Sequence, residues 1–196
     1  DIGSLTMLEA TMLAAIIKLV DPKKCFEFGT FLGYATSLFL KNTKEADIYS
    51  LDLPVNFNGN SKVLIDETKI LNNDVINDAY LTSQQFQRGE YYLKHFQAES
   101  RLNLLKEDSN IFNPMDYFLE DSVEFIFIDG GHTYDLIKKD TENALKMATN
   151  NGIIFWHDYN SNIHSDVTRY VNDFAKSNVV YYIAHTMLAF TIANKF

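Results

Sequence analysis

The sequence predicts an α/β fold: a doubly wound, seven-stranded sheet that is mostly parallel, with its last strand antiparallel. Short apolar runs alternate with stretches of helical periodicity along most of the chain. Two of the runs, Val123–Ile128 (interrupted only by Glu124) and Ile153–Trp156, are almost wholly apolar, as strands covered on both faces should be. The C-terminal end carries two short runs joined by a tight turn, which read as an antiparallel pair.

Leu5–Val20 has apolar residues at helical spacing and stops ahead of Asp21-Pro22. Cys25–Phe28 is the first strand, Tyr34–Asn42 the next helix, and Asp47–Leu53 the second strand. Residues 54–99 are polar and rich in Asn and Gln; helices are expected around Lys62–Leu71 and Gly89–Phe96. Arg101–Leu105 is a third strand and Val123–Ile128 a fourth. Leu136–Thr149 is an amphipathic helix with Leu136, Ile137, Ala144, Leu145 and Ala148 on the apolar face and Lys138, Lys139, Asp140 and Glu142 on the wet one. Asn150-Asn151-Gly152 is a helix stop, Ile153–Trp156 the fifth strand, Val167–Ala175 a helix, and Val179–Ala184 and Met187–Ala193 the closing pair. With no internal repeat or linker, residues 1–196 read as one domain, with 54–99 as a substrate-covering insertion.

A chain of 196 residues that is 46% hydrophobic can bury a sizeable core. Seventeen Lys+Arg against 26 Asp+Glu give a net charge of -9 with no basic cluster, which disfavours nucleic acid and anionic membrane as partners. No apolar run reaches membrane-spanning length. The single cysteine, Cys25, excludes a disulfide framework and fits a reducing, cytoplasmic setting. No signal peptide is visible; the chain begins at Asp1, so an address lying upstream would not be seen.

Parallel α/β sheets bind ligands beyond the carboxyl ends of their strands. Five such ends here carry polar residues: Glu27 with the Gly29–Gly33 turn, Asp52, Asp108-Ser109, Asp129 to His132, and His157-Asp158. Any one of them could be a helix cap or a turn former. Together they outline one rim. Asp52 follows Glu27 at close to the spacing that places an acid against ribose hydroxyls. The turn reads E-x-G-x-x-x-G rather than G-x-G-x-x-G, and Phe31 stands where a pyrophosphate site needs its second glycine, so the cofactor implied lacks a pyrophosphate.

On these residues the chain resembles the class I S-adenosylmethionine-dependent methyltransferases, from about Leu5 to Asn194, which implies a Rossmann-like sheet. "EFGTFLGYAT" looks like their first motif, so Glu27, Gly29, Thr30, Gly33 and Thr36 would cradle the amino-acid end of S-adenosylmethionine. Asp52 would hold the ribose, and Asp108-Ser109 would flank the adenine. Ala35 replaces a serine usual in that motif, and Glu107 replaces a glycine. "FIFIDGGHTYDLIKKD" and "IIFWHDY" look like a small-molecule branch similar to catechol-type O-methyltransferases and to hydroxylase-like and sugar-tailoring relatives.

Carried over by position, Asp129, His157 and Asp158 would hold a divalent metal, and His132 would be the base. His157 stands where that pattern has an acid and Asp158 where it has an amide. Such a set suits manganese, iron or zinc better than magnesium. Either a metal at these carboxylates or the imidazole of His132 would serve the deprotonation of an alcohol or phenol. Tyr80, Phe86, Tyr91, Tyr92 and Phe96 would form an apolar lid and Arg88 meet an anionic group, or the segment simply packs its aromatics into the core.

The activity implied is methyl transfer to an oxygen of a small molecule, of sugar or phenol type. A non-methylating, hydroxylase-like enzyme and a protein that only binds the cofactor are the alternatives. The sequence leaves room for a homodimer.

Overall fold

A computed structural model describes residues 4–53, 78–84, 90–96 and 99–194. Helix α1 (Met7–Val20) starts at a capping box in which Thr6 and Glu9 satisfy each other's backbone N–H, and ends at Asp21 in the left-handed region, φ 46°. Strand β1 (Lys24–Phe28), helix α2 (Tyr34–Asn42) and strand β2 (Asp47–Asp52) follow. Residues 78–84 are helical, α3. Then come β3 (Leu102–Lys106), β4 (Val123–Ile128), α4 (Tyr134–Met147), β5 (Ala148–Trp156), α5 (Ser165–Phe174), β6 (Tyr181–Tyr182) and β7 (Ala189–Ile192).

The strands form one sheet in the order β3-β2-β1-β4-β5-β7-β6. β1 pairs in parallel with both β2 and β4, and β7 runs antiparallel to β5 and to β6, as the sequence predicts. The order reverses between β1 and β4, which opens a crevice at their carboxyl ends. Alternate residues of each strand serve opposite layers. Cys25, Ile48, Phe125, Phe127 and Phe155 pack with Leu13 and Ile17 of α1 and Phe39 of α2. Phe26, Phe28, Ile126, Ile128 and Trp156 pack with Ile137 and Met147 of α4 and Val167 and Val171 of α5. Fully burying each such side chain contributes about 1.5–3 kcal/mol. Helices on both faces therefore hold the strand tips rigidly.

Several boundaries differ from the sequence expectations. The Asn150-Asn151-Gly152 segment does not stop a helix but lies inside β5, which begins directly after α4. Asn151 takes φ 69°, the β4–β5 register shifts there, and a Cβ on Gly152 would come 3.0 Å from the carbonyl oxygens of Thr149 and Val123. The predicted helix Gly89–Phe96 is a single 3-10 turn, Tyr91–Leu93, whose Tyr92 N–H donates to Leu32 O at 2.9 Å. Asp140, placed on the wet face of its helix by periodicity, is fully buried. The helix expected around Lys62–Leu71, together with Phe86 and Arg88, lies outside the described residues. Among the described residues no helix is long and apolar enough to cross a membrane.

Candidate active site

The five polar tips border one cavity of ≈ 470 Å³. Its wall takes Gly29 and Phe31 from the β1 turn, Asp52 and Leu53 from β2, and Glu107 to Asn110 from β3. It continues through Asp129 to His132 from β4 and His157-Asp158 from β5. Tyr80 of α3 covers part of it, with Ile163 and His164 before α5 and Met187 before β7.

The β1 turn is built from beneath. Glu27 is buried and accepts hydrogen bonds from the hydroxyls of Thr36 and Ser50, and Thr30 Oγ1 lies 2.7 Å from Ser50 Oγ. Burial pushes the Glu27 carboxyl up to about 8 against those two bonds, with the charges of Asp129 and Asp52 adding to the rise. Glu27, Thr30, Gly33 and Thr36 thus support the turn rather than line the cavity. Gly29 is the point of closest approach: its φ is 91°, and a Cβ there would sit 2.1 Å from the carbonyl oxygen of Asp129. Phe31 also takes a left-handed conformation, φ 47°, and its N–H donates to Asp52 Oδ2 at 2.6 Å. Asp52 Oδ1 accepts from Leu53 N–H at 2.8 Å, so two backbone donors fix the carboxylate at the rim.

At β3 the Asp108 carboxylate turns back on its own loop, where Oδ1 accepts from the Asn110 backbone and side-chain N–H groups at 2.9 and 3.0 Å. Ser109 lines the cavity beside it.

The β4 and β5 tips carry a chain of alternating imidazoles and carboxylates. His132 Nδ1 lies 2.6 Å from Asp78 of α3 and its Nε2 3.0 Å from Asp158. His157 Nδ1 lies 3.0 Å from Asp129 and 3.3 Å from Asp158, and its Nε2 3.5 Å from Glu9. Burial acts to lower the His132 pKa, but its bonds to Asp158 and Asp78 outweigh that and carry it up to about 10. The same balance, with Asp129 and Asp158 as partners, raises His157 well above the ordinary histidine range. Burial raises Asp129, with the His157 charge opposing it. Asp158 is held well below the usual carboxylate range because its contacts with both imidazoles overcome burial.

Two residues singled out in the sequence carry these contacts. His132, read as the base, is flanked by two carboxylates that hold it protonated. His157, read as a metal ligand, spends its nitrogens on Glu9, Asp129 and Asp158. The grouping whose ligand atoms lie within 4.8 Å of one another is Asp129, His132 and Asp158. Asp78, His132 and His164 form a second such grouping. There the two rings stack at 3.7 Å and 18°, so their in-plane lone pairs run nearly parallel and cannot converge on one ion.

The sequence reading missed Glu9, Asp78, His164 and Asp140. The Thr6-x-x-Glu9 spacing was a visible sign of a helix start, but nothing local points Glu9 at His157. Of the lid aromatics, Tyr80 lines the cavity, whereas Tyr92 packs against Tyr34 with the rings tilted by 59° and Phe96 packs beside the core with Lys41 over its ring. Tyr91 is exposed.

A family model described as a methyltransferase domain matches residues 26–159. No curated protein matches the chain in sequence. Among solved structures, the SAH-bound methyltransferase PaMTH1 from Podospora anserina is similar with a TM-score of 0.63 and 13% identity, covering 99% of this chain and 81% of that one. An O-methyltransferase from Bacillus cereus in complex with SAH has a TM-score of 0.61 and 12% identity over 100% and 84% of the two chains. The O-methyltransferase TomG from Streptomyces achromogenes, involved in tomaymycin synthesis and complexed with SAM, has a TM-score of 0.61 and 11% identity over 98% and 82%.

Proposed function

This chain belongs to the methyltransferase-domain family, and from that premise we propose that it transfers the methyl group of S-adenosylmethionine to an oxygen of a small-molecule acceptor. The observation that carries this reading is the single cavity running past all five strand tips, of a volume, ≈ 470 Å³, inside the range of roughly 300–1,000 Å³ typical of small-molecule sites. The wall also fits the group: Gly29 lets the turn press against β4, where any Cβ would collide.

Bound along this cavity, S-adenosylmethionine supplies a methyl carbon on a sulfonium sulfur, which an acceptor oxygen displaces in line. The residues divide that task. Asp52 receives the ribose hydroxyls on the carboxylate that Phe31 and Leu53 N–H orient at the rim. Ser109 flanks the adenine. Glu27, Thr30, Gly33 and Thr36 act by keeping the β1 turn in place. Holding the two reactants in line can remove on the order of 7–11 kcal/mol of barrier.

The acceptor hydroxyl sits against Asp129, His132 and Asp158. Its proton passes to Asp129, whose basicity burial raises. His132, held as a cation between Asp78 and Asp158, steadies the developing oxyanion by its charge. With the ring nitrogen of His132 deprotonated, the same three side chains would offer two carboxylates and an imidazole to a divalent transition ion, which when bound would supply Lewis acidity at the acceptor oxygen.

The test is calorimetric titration with S-adenosylmethionine and S-adenosylhomocysteine, with divalent metal and with EDTA. Both ligands are expected to bind, and Asp52→Ala to weaken them at least tenfold. No binding to the parent, or equal binding by Asp52→Ala, overturns the reading.

A further inference from the structure

Glu9 is buried in the first turn of α1, and three donors fix its carboxylate. Thr6 N–H and Thr6 Oγ1 each donate to Oε2 at 2.8 Å, and the N–H of Met187, a residue of the cavity wall, donates to Oε1 at 2.7 Å. Beyond its own helix start the carboxylate faces His157, whose Nε2 lies 3.5 Å from Oε2, the long end of hydrogen-bond range. The opposite ring nitrogen, Nδ1, lies 3.0 Å from Asp129 Oδ1 and 3.3 Å from Asp158 Oδ2. The backbone of this β5 tip is set by His157 N–H donating to Ile128 O at 3.0 Å, so the side-chain contacts decide how the ring lies. An oxygen against each nitrogen pins both ends: a turn that takes Nε2 off Glu9 also takes Nδ1 off Asp129.

We propose that Glu9 is a positioning residue for methyl transfer: acting through His157, it holds the Asp129 carboxylate in the orientation that receives the acceptor's proton. The inference rests on the reading above, in which Asp129 takes that proton, and deepens it. A partner behind an imidazole fixes the ring plane, and the ring then fixes the group that meets the substrate. Among the described residues the hydrogen bond of the Asp129 carboxylate is the one to His157, so a loosened ring leaves that carboxylate free to turn. Misplacing a reacting group by about 1 Å can lower a rate on the order of 10²-fold. Glu9 itself is not part of the cavity wall, so its substitution should change the rate and leave ligand binding alone.

Single-turnover transfer of a labelled methyl group to an accepted phenol or sugar tests this, with S-adenosylhomocysteine affinity and melting temperature measured alongside. Glu9→Gln keeps an oxygen for Met187 N–H and sets an amide N–H against His157; its rate should fall roughly 10- to 100-fold, with acceptor half-saturation and S-adenosylhomocysteine affinity within about threefold of the parent. Thr6→Ala, which loosens the same helix cap without touching His157, should lower the melting temperature and keep the rate. His157→Gln should lose as much rate as Glu9→Gln, and the double variant no more than either. A Glu9→Gln rate within about threefold of the parent overturns the proposal, as do an equal loss in Thr6→Ala and losses that multiply in the double variant. Should Glu9→Gln not fold, Glu9→Asp, one methylene shorter and so drawn back from the ring, decides in the same sense. If the parent transfers no methyl group, the methyl-transfer reading is what fails; crystal structures of the parent and Glu9→Gln then decide, and a His157 ring and Asp129 carboxylate unmoved between them overturn the positioning role.

Discussion

Glu9 Oε2 and His157 Nε2 lie 3.5 Å apart although 148 residues separate them in sequence. This contact ties α1 to the tip of β5. Glu9 also accepts from Met187 N–H at 2.7 Å and from Thr6 N–H at 2.8 Å. Burial acts to raise its pKa, yet His157 and the two N–H groups draw it down to about 2. Glu9→Leu leaves the buried imidazole and the Met187 N–H without their acceptor and should cost about 3–5 kcal/mol. Glu9→Gln, which keeps an oxygen for Met187, should cost less. Urea denaturation measures both, and a leucine variant within about 1 kcal/mol of the parent would contradict the role.

Gly29→Ala should be damaging. The new Cβ would lie 2.1 Å from the Asp129 carbonyl oxygen at φ 91°, so β1 and β4 must separate at the cavity. A loss of at least about 2 kcal/mol in stability is expected, together with loss of S-adenosylhomocysteine binding. A variant that melts and binds like the parent would show that the turn is not under this constraint.

Glu27 sets a pH dependence whose sign follows from its raised carboxyl. The folded state holds it protonated up to about 8, while the unfolded chain ionises near the ordinary value of 4.5. Between those values the unfolded state binds fewer protons, so stability falls as pH rises, by up to about 1.36 kcal/mol per pH unit from this group. Below pH 4.5 its contribution is fully present, and above 8 the loss is complete. Glu27→Gln, which still accepts from Thr36 and Ser50, should gain on the parent steadily across that window. Parallel melting profiles for the two proteins would refute the assignment.

Asp129→Asn separates chemistry from cofactor binding. Proton removal is typically worth about 10²–10⁴-fold in rate. Single-turnover transfer of a labelled methyl group to an accepted phenol or sugar should fall by that factor, with S-adenosylhomocysteine affinity changed only several-fold. An unchanged transfer rate would place the proton acceptor elsewhere.

The sheet and its rim were legible because continuous apolar strands and polar tips leave a strong local pattern. Asp52, Asp108, Ser109, Asp129 and His132 were found at the cavity for that reason. What could not be read depends on tertiary approach. Asp140 obeys the helical period of a solvated face, yet it is fully buried with Gly130 of the β4 tip beside its carboxylate. His164 gives no local sign that its ring will stack on His132, and Asp78 comes from a segment whose polar composition hides its place over the site. His132 looked like a free base because its two carboxylate neighbours lie 54 and 26 residues away along the chain.

The most direct measurement is a crystal structure of the protein with S-adenosylhomocysteine. The ribose hydroxyls should lie on the Asp52 carboxylate, the adenine beside Ser109, and the sulfur over the Gly29 turn facing Asp129. A nucleoside lodged away from Asp52 and the β1 turn, or a crevice closed by side chains when the ligand is at saturating concentration, would contradict the account.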